Sequence, residues 1–341
     1  MNRRQLLSVA SSAVLAGLAT AVPWRTEAEA SMGETPGMPP SPPSEDWENL
    51  DTKIRTWWDT DLTEARENEV RAGTRNGQIL FLPFPYVRIF SARGQYQEMF
   101  PFDTAFMNYA LLAHERFDCV HDHIRNYLFQ VERYGYMPNA NHPRGLTRSQ
   151  PPFIPTTIWL YYLATRERDL LYQAYPLLKR EYLNYWNAVH HQTPIGLATC
   201  RDLGDPSLSP ELAAEAETGM DWMPIYDGDI RRCAALGLNC LLVRYARVLA
   251  MMAKEIGLQA EASTFAKDAE ERASLIRKYC WNENVGLFLE FDFVANRQLP
   301  YVSECAFWTM WAGVATRKQA IRLVGHLHLL EQRYGEHGHL S

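Results

Sequence analysis

In the segment Glu217-Thr218-Gly219-Met220-Asp221-Trp222, a carboxylate, Asp221, lies between Met220 and Trp222, and Pro224 breaks the chain just beyond. Apolar neighbours desolvate an acid and raise its pKa, so that it stays protonated near neutral pH, the state from which a general acid hands a proton to a leaving oxygen. Taken alone, an Asp before a helix is also an ordinary cap. A second segment, Tyr134 to Pro152, reads YGYMPNANHPRGLTRSQPP. Here Pro138-Asn139 makes a turn, and Pro151-Pro152 follow Arg148-Ser149-Gln150, so a guanidinium and a carboxamide sit on backbone that cannot continue as helix. Arg offers a rigid fork of donors, and Asn and Gln each offer both donor and acceptor, which suits a ligand rich in hydroxyls. A plain polar loop ahead of a helix has the same composition.

The elements that must position these segments are helical. Apolar periodicity predicts helices over 50–72, 103–113, 119–134, 156–165, 170–190, 229–256, 259–280, 304–312 and 318–334, with only 79–89 extended. Short connections, Arg-Glu-Arg before Asp169 and Gly-Leu-Gln before Ala260, make several of them antiparallel neighbours. A ring of such hairpins is an all-α (α/α) barrel, and both polar segments fall in loops between helices, where a rigid ring would carry its chemistry.

The residues around these segments resemble the trehalases of glycoside hydrolase family 37, with a fainter likeness to family 63 glucosidases and mannosylglycerate hydrolases, from about Asp51 to about Tyr334. Leu82 to Leu111, LPFPYVRIFSARGQYQEMFPFDTAFMNYAL, is similar to a trehalase signature, with Tyr96, Glu98, Phe100 and Asp103 on its aromatic and acidic positions. The PN…RSQPP and ETGMD segments follow in the family's order, then Leu238-Asn239 and the Asp292 turn. The resemblance implies an (α/α)6 toroid of the six-hairpin glycosidase type and inverting hydrolysis of a disaccharide, with no cofactor. Asp221 would be the acid, and Asp103, Asn139, Arg148, Gln150, Phe102, Glu211 and Gly219 would bind substrate. There are departures: the signature Arg falls on Gln95, its Trp on Phe102, and the Trp before the acid on Met220, while the family's Arg-Pro-Glu is represented by Ser209-Pro210-Glu211. These leave open another α-glucoside or mannosylglycerate as substrate.

Inversion needs a second carboxylate roughly 6.5–9.5 Å from the acid to activate water. The family carries that base beyond a Gln-Trp-Asp-x-Pro-Asn-x-Trp segment, and neither is found before Ser341, so the expectation is a toroid lacking its C-terminal part, either a truncated reading frame or a sugar-binding remnant. Of the carboxylates present, Glu98 matches a signature position, Asp227 and Asp229 fit the opening of the next helix, and nothing around Glu336 resembles a base motif.

With 47% hydrophobic and 22% charged residues, the 341-residue chain is globular in composition, and a net charge of -6 excludes a basic nucleic-acid surface. Arg3-Arg4 head an apolar run from Leu6 to Val22, and Ala28-Glu29-Ala30 offers a cleavage site, so residues 1–30 read as a twin-arginine-type signal peptide. Export to the periplasm or medium follows, without stable membrane insertion after cleavage. Residues 31–46 read as a Pro-rich spacer and 47–341 as the helical domain. The six cysteines lack CxxC pairs, and His121/His123, His190-His191 and His326/His328 are spaced so that helices would point their rings apart, so no metal site is expected.

Overall fold

The computed structural model describes residues 44–68, 79–89, 96–220 and 223–334. The signal-like N-terminus, Gln95, Asp221, Trp222 and Glu336 lie outside the described residues. Ten helices are described: α1 (Ser44–Asp61), α2 (Pro101–Ala113), α3 (Phe117–Tyr134), α4 (Ile154–Thr165), α5 (Arg168–Glu181), α6 (Pro210–Ala216), α7 (Leu236–Glu255), α8 (Gln259–Cys280), α9 (Cys305–Trp311) and α10 (Arg317–Tyr334). The boundaries follow local chemistry. Pro opens α2 and α6 and stands in the first turn of α4, where a missing N–H costs nothing, and Gly135 ends α3 at φ +88°.

Alternate helices form an inner row in which α2 touches α4, α4 touches α7, and α7 touches α9; α3, α5, α8 and α10 back them from outside. This is the arc of an (α/α) toroid. The central helix α7 is buried nearly all round, with Cys240, Leu241, Leu242, Val243, Tyr245 and Ala246 fully enclosed. Its length and composition would pass for a membrane span, but a helix apolar on every face whose side chains are packed inside the protein is a core helix. Glu181 ties the arc together from inside: it accepts from Tyr127 of α3, from Tyr245 of α7 at 2.7 Å and from the Met137 N–H at 2.7 Å. Burial pushes its carboxyl above the ordinary range.

The connections are strongly asymmetric. Within each hairpin the link is short: residues 114–116, 166–167, 256–258 and 312–316. The links that lead into an inner helix are long: 62–100 before α2, 135–153 before α4, 187–235 before α7 and 281–304 before α9. Because the hairpins are antiparallel, the described parts of all four long links gather at one end of the arc, around the N-termini of the inner helices. Each is bonded to its neighbour: Met99 N–H donates to Asn141 Oδ1 (2.7 Å), Leu203 N–H to Thr147 O (2.7 Å), and Phe293 N–H to Arg232 O (3.0 Å).

Several expected boundaries are corrected. The helix expected over 50–72 opens at Ser44, inside the expected spacer, and stops at Asp61, because Leu62–Thr63 (β1) pairs antiparallel with Tyr86–Val87 (β2). The helix expected from Asp229 starts at Leu236, since Ile230–Arg232 is a 3-10 turn and Cys233–Ala234 (β3) pairs with Phe291–Asp292 (β6). Further pairs join Trp281–Asn282 (β4) to Leu287–Phe288 (β5) and β6 to Arg297–Gln298 (β7), so 79–89 is not the sole extended region. Two-residue strands are too short to show a period in sequence. The helix expected over 170–190 passes at Tyr182–Trp186 into a π-turn. All six cysteines are buried free thiols, and Cys233 and Cys240 share no helix.

Candidate active site

The three polar or acidic segments meet at Gly219. This glycine has φ +67°, a left-handed conformation that Gly adopts without strain, and a Cβ there would lie 3.2 Å from Phe102 Cδ2 and 3.3 Å from Pro151 Cδ. The first residues of α2, the RSQPP loop and the segment after α6 therefore touch at one point. Phe102 N–H donates to Gln150 Oε1 (3.1 Å), and the Phe102 ring stands edge-on to Phe106 and Phe153. Asn139 works as a stitch: its Nδ2 donates to Ser149 O (3.1 Å) and Ala216 O (3.3 Å), and its backbone N–H to Arg148 O (2.8 Å). Asp103 lies half-buried in the first turn of α2. Asp221 follows Gly219 by two residues, outside the described residues. On its near side Met220 lines a narrow cleft with Pro151, Thr218, Tyr226 and Trp308, and Cys305 Sγ approaches Met220 Sδ at 3.8 Å.

Arg148 is only 7% exposed, and its Nη1 donates to Asp202 and Asp205, both at 2.9 Å. Burial opposes its charge, but the two carboxylates outweigh burial and raise its pKa. Asp205, which burial would push up, is instead held down at about 2 by bonds from Ser207 and Arg148. With Nη1 committed, the remaining guanidinium nitrogens are Nη2 and Nε, the latter buried without a hydrogen-bond partner among the described residues. Behind this ion triad lies a cavity of about 180 Å³ lined by Arg201, Asp202, Asp205, Leu208, Pro210 and Arg231. Glu211, in the first turn of α6, pairs with Arg231 at its rim, and Arg231 also holds Asp229 (2.8 Å).

One functional candidate escaped the sequence reading. Glu217 is fully buried and accepts four hydrogen bonds: from Ser149 N–H (3.2 Å), Tyr185 Oη (2.5 Å), Arg201 N–H (2.8 Å) and His191 Nε2 (2.9 Å). Burial would raise its carboxyl, but the charge of His191 and these donors overcome burial and hold it below the usual range. Its one sequence signal is its place at the head of the ETGMD motif. The other carboxylates have local employment. Asp229 accepts from Arg231 N–H as the cap of the 3-10 turn, Asp227 sits at φ +52° and pairs with Arg297 (3.3 Å), and Glu98 accepts from Gln97 N–H (2.9 Å). No cluster of metal-ligating side chains occurs among the described residues.

A toroid of helical hairpins with its long loops gathered at the inner helices' N-termini, and with aromatic, carboxamide and acidic residues meeting there, has the architecture of the six-hairpin glycosidases. Residues 96–338 match the mannosylglycerate hydrolase MGH1-like glycoside hydrolase domain, and the chain belongs to that family. It is 26% identical over 308 residues to the cytosolic neutral trehalase of Kluyveromyces lactis, covering 73% of this chain and 40% of that protein. It is 25% identical over 306 residues to the periplasmic trehalase of Escherichia coli, covering 77% of this chain and 53% of that protein. The chain thus spans about half or less of the length of these relatives. Among solved structures it superposes on the neutral trehalase of Saccharomyces cerevisiae (TM-score 0.66, 23% identity, 73% of this chain and 56% of that one). It also superposes on a family 63 mannosylglycerate hydrolase of Thermus thermophilus (TM-score 0.59, 15% identity, 83% and 77%). The fold is the trehalase-like, six-hairpin (α/α) toroid.

Proposed function

We propose that this chain forms the acid-bearing part of an exported, trehalase-like glycosidase that hydrolyses the α,α-1,1 bond of trehalose with inversion. Asp221 protonates the leaving oxygen. Phe102 and Gln150, with Nη2 of Arg148, face one sugar; Asn139 and Gly219 keep their loops in register; Asp103 and Glu211 add acceptors for hydroxyls. The observation that carries this reading is the approach of Phe102 and Pro151 to Gly219, so near that a Cβ there would lie 3.2 and 3.3 Å from them, with the segment that leads to Asp221 beside the RSQPP loop. An aromatic ring with carboxamide and guanidinium donors suits a neutral sugar, and a carboxyl in the apolar setting of Met220, Trp222 and Met223 suits a proton donor. The attacking water requires a second carboxylate across the sugar; Glu98, Asp227 and Asp229 have the local roles described above, and none is assigned to it. Export rests on Arg3-Arg4 and the apolar run after them; the matched relatives include both periplasmic and cytosolic proteins.

Phe102, Met220 and Gln95, where trehalases carry other residues, favour a second reading in which the substrate is another α-glucoside or, as the family description suggests, mannosylglycerate. Turnover measured on trehalose, maltose, isomaltose and mannosylglycerate separates the two. Measured on a protein in which this chain is joined to a base-bearing segment, preference for trehalose supports the first reading, preference for any other sugar supports the second, and hydrolysis of none overturns both.

A further inference from the structure

We infer that His191 and Glu217 form a buried imidazolium–carboxylate clamp that positions the hydroxyl-binding loop and the acid's segment together. Oε1 of Glu217 accepts from Tyr185 Oη and Ser149 N–H, and Oε2 accepts from Arg201 N–H and lies 2.9 Å from His191 Nε2. Its donors hold Glu217 below the usual carboxylate range, so it is ionised and can only accept, and the 2.9 Å contact then places a proton on Nε2. The other ring nitrogen, Nδ1, faces the Tyr185 carbonyl at 2.9 Å, and a carbonyl can only accept. His191 therefore donates from both nitrogens and is cationic, and with Glu217 it makes an internally neutral pair that is completely shut from solvent.

The clamp joins four stretches of chain that sequence separates widely. Ser149 belongs to the loop with Arg148 and Gln150. Arg201 begins the turn that brings Asp202 and Asp205 to Arg148. Tyr185 and His191 come from the π-turn and the bend after it, and Glu217 stands two residues before Gly219 and four before Asp221. Loss of either charge forces a choice on the rest. With a carboxamide in place of Glu217, a neutral imidazole can donate to that group or to Tyr185 O, but not to both, and the Ser149 and Arg201 amides lose a charged acceptor. Around the pair stand His190, whose ring centroid is 4.1 Å from that of His191, and the Tyr136, Tyr185, Cys200 and Arg201 side chains. Burial pushes the Tyr136, Tyr185 and Cys200 groups up and the His190 imidazole down, so that none of these four is charged near neutral pH; the Arg201 guanidinium is the other cation nearby, and it donates to the Arg231 carbonyl (3.3 Å), while only its backbone N–H reaches Glu217. His191 and Glu217 are thus positioning residues, and their catalytic consequence rests on the glycosidase reading above.

The test uses the whole protein. In ¹⁵N-labelled protein at neutral pH, the resonances lost in His191→Asn are expected to report a proton on both ring nitrogens. In Glu217→Gln, amide hydrogen exchange at Ser149 and Arg201 is expected to accelerate at least about tenfold, as local opening becomes easier, with a raised KM and lowered kcat on the turned-over sugar. Glu181→Gln serves as the comparison, an equally buried carboxyl in the core: it should lower the melting temperature yet leave Ser149 and Arg201 exchange and KM at wild-type values. A His191 ring with one bare nitrogen, or Ser149 and Arg201 exchange unchanged in a folded Glu217→Gln protein, overturns the clamp. If the wild type hydrolyses no glycoside, the functional reading fails alone, and the ring protonation and exchange still decide the clamp.

Discussion

Replacing Gly219 by Ala should damage the site out of proportion to the size of a methyl group. Two costs can be separated. The first is conformational: at φ +67° an L-residue with a Cβ pays roughly 1–2 kcal/mol relative to Gly. The second is steric, because the new methyl would sit 3.2 Å from the Phe102 ring and 3.3 Å from Pro151 Cδ, tighter than ordinary contact, and overpacking of this kind costs about 1–3 kcal/mol. Together they destabilise the protein by roughly 2–5 kcal/mol if the rings hold their place. If they yield, the acid's segment moves away from the hydroxyl-binding loop, and a displacement near 1 Å can cost about 100-fold in rate. Gly257→Ala is the control: its φ is +87°, nothing lies within 4 Å of the added methyl, and it joins α7 to α8 at the opposite end of the toroid. Urea unfolding and initial rates on the preferred sugar are measured for both. The expected result is a similar conformational loss in each, with the additional loss and the fall in rate confined to Gly219→Ala. A Gly219→Ala protein as stable and active as the Gly257→Ala protein would refute the claim that the three segments are seated on this glycine.

Other perturbations probe separate parts of the molecule. Glu290 is buried with Oε1 unpartnered among the described residues, and burial raises its carboxyl from 4.5 to about 8. Between those values the folded protein binds the extra proton, so stability present below pH 4.5 is lost as pH rises through 8; the change is on the order of 4 to 5 kcal/mol. Glu290→Gln should flatten that slope in unfolding curves taken across the window. Arg148→Ala leaves Asp202 and Asp205, each with a side chain 3% exposed, without their cation, and should destabilise by about 3–5 kcal/mol, read by denaturant unfolding; a wild-type midpoint would show that the triad is not buried in solution. Arg3→Lys with Arg4→Lys should hold the precursor in the cytoplasm, as cell fractionation would reveal, whereas normal processing would assign export to the general secretory route.

The helical hairpins were legible because both of their signals are local: apolar residues at helical spacing, and connections too short to reach anything but an antiparallel neighbour. Asp229 was legible as a cap for the same reason, since its partner, Arg231, is two residues away. The two-residue strands from Trp281 to Gln298 were not, because pairing at that length leaves no alternation. The bend at Tyr182–Trp186 was hidden by a sequence that reads as uninterrupted helix. At the site, residue types pointed to Arg148 as a ligand donor but could not show that Asp202 and Asp205, more than 50 positions away, would take its Nη1. Glu217 was overlooked for a related reason. Its donors lie at Ser149, Tyr185, His191 and Arg201, and nothing in a Glu beside a Thr announces a buried anion with four partners. Chemistry that depends on neighbours in sequence could be read; chemistry that depends on which loops meet could not.

The central claim is that Asp221 supplies the proton to the leaving oxygen, and a comparison of leaving groups tests it most directly. A sugar alcohol leaves poorly unless protonated, whereas fluoride departs from α-glucosyl fluoride without a proton. In Asp221→Asn, turnover of trehalose should fall by roughly 10²–10⁴, while turnover of the fluoride falls far less. Equal losses on the two substrates, or an Asp221→Asn protein that cleaves trehalose at the wild-type rate, would contradict the assignment.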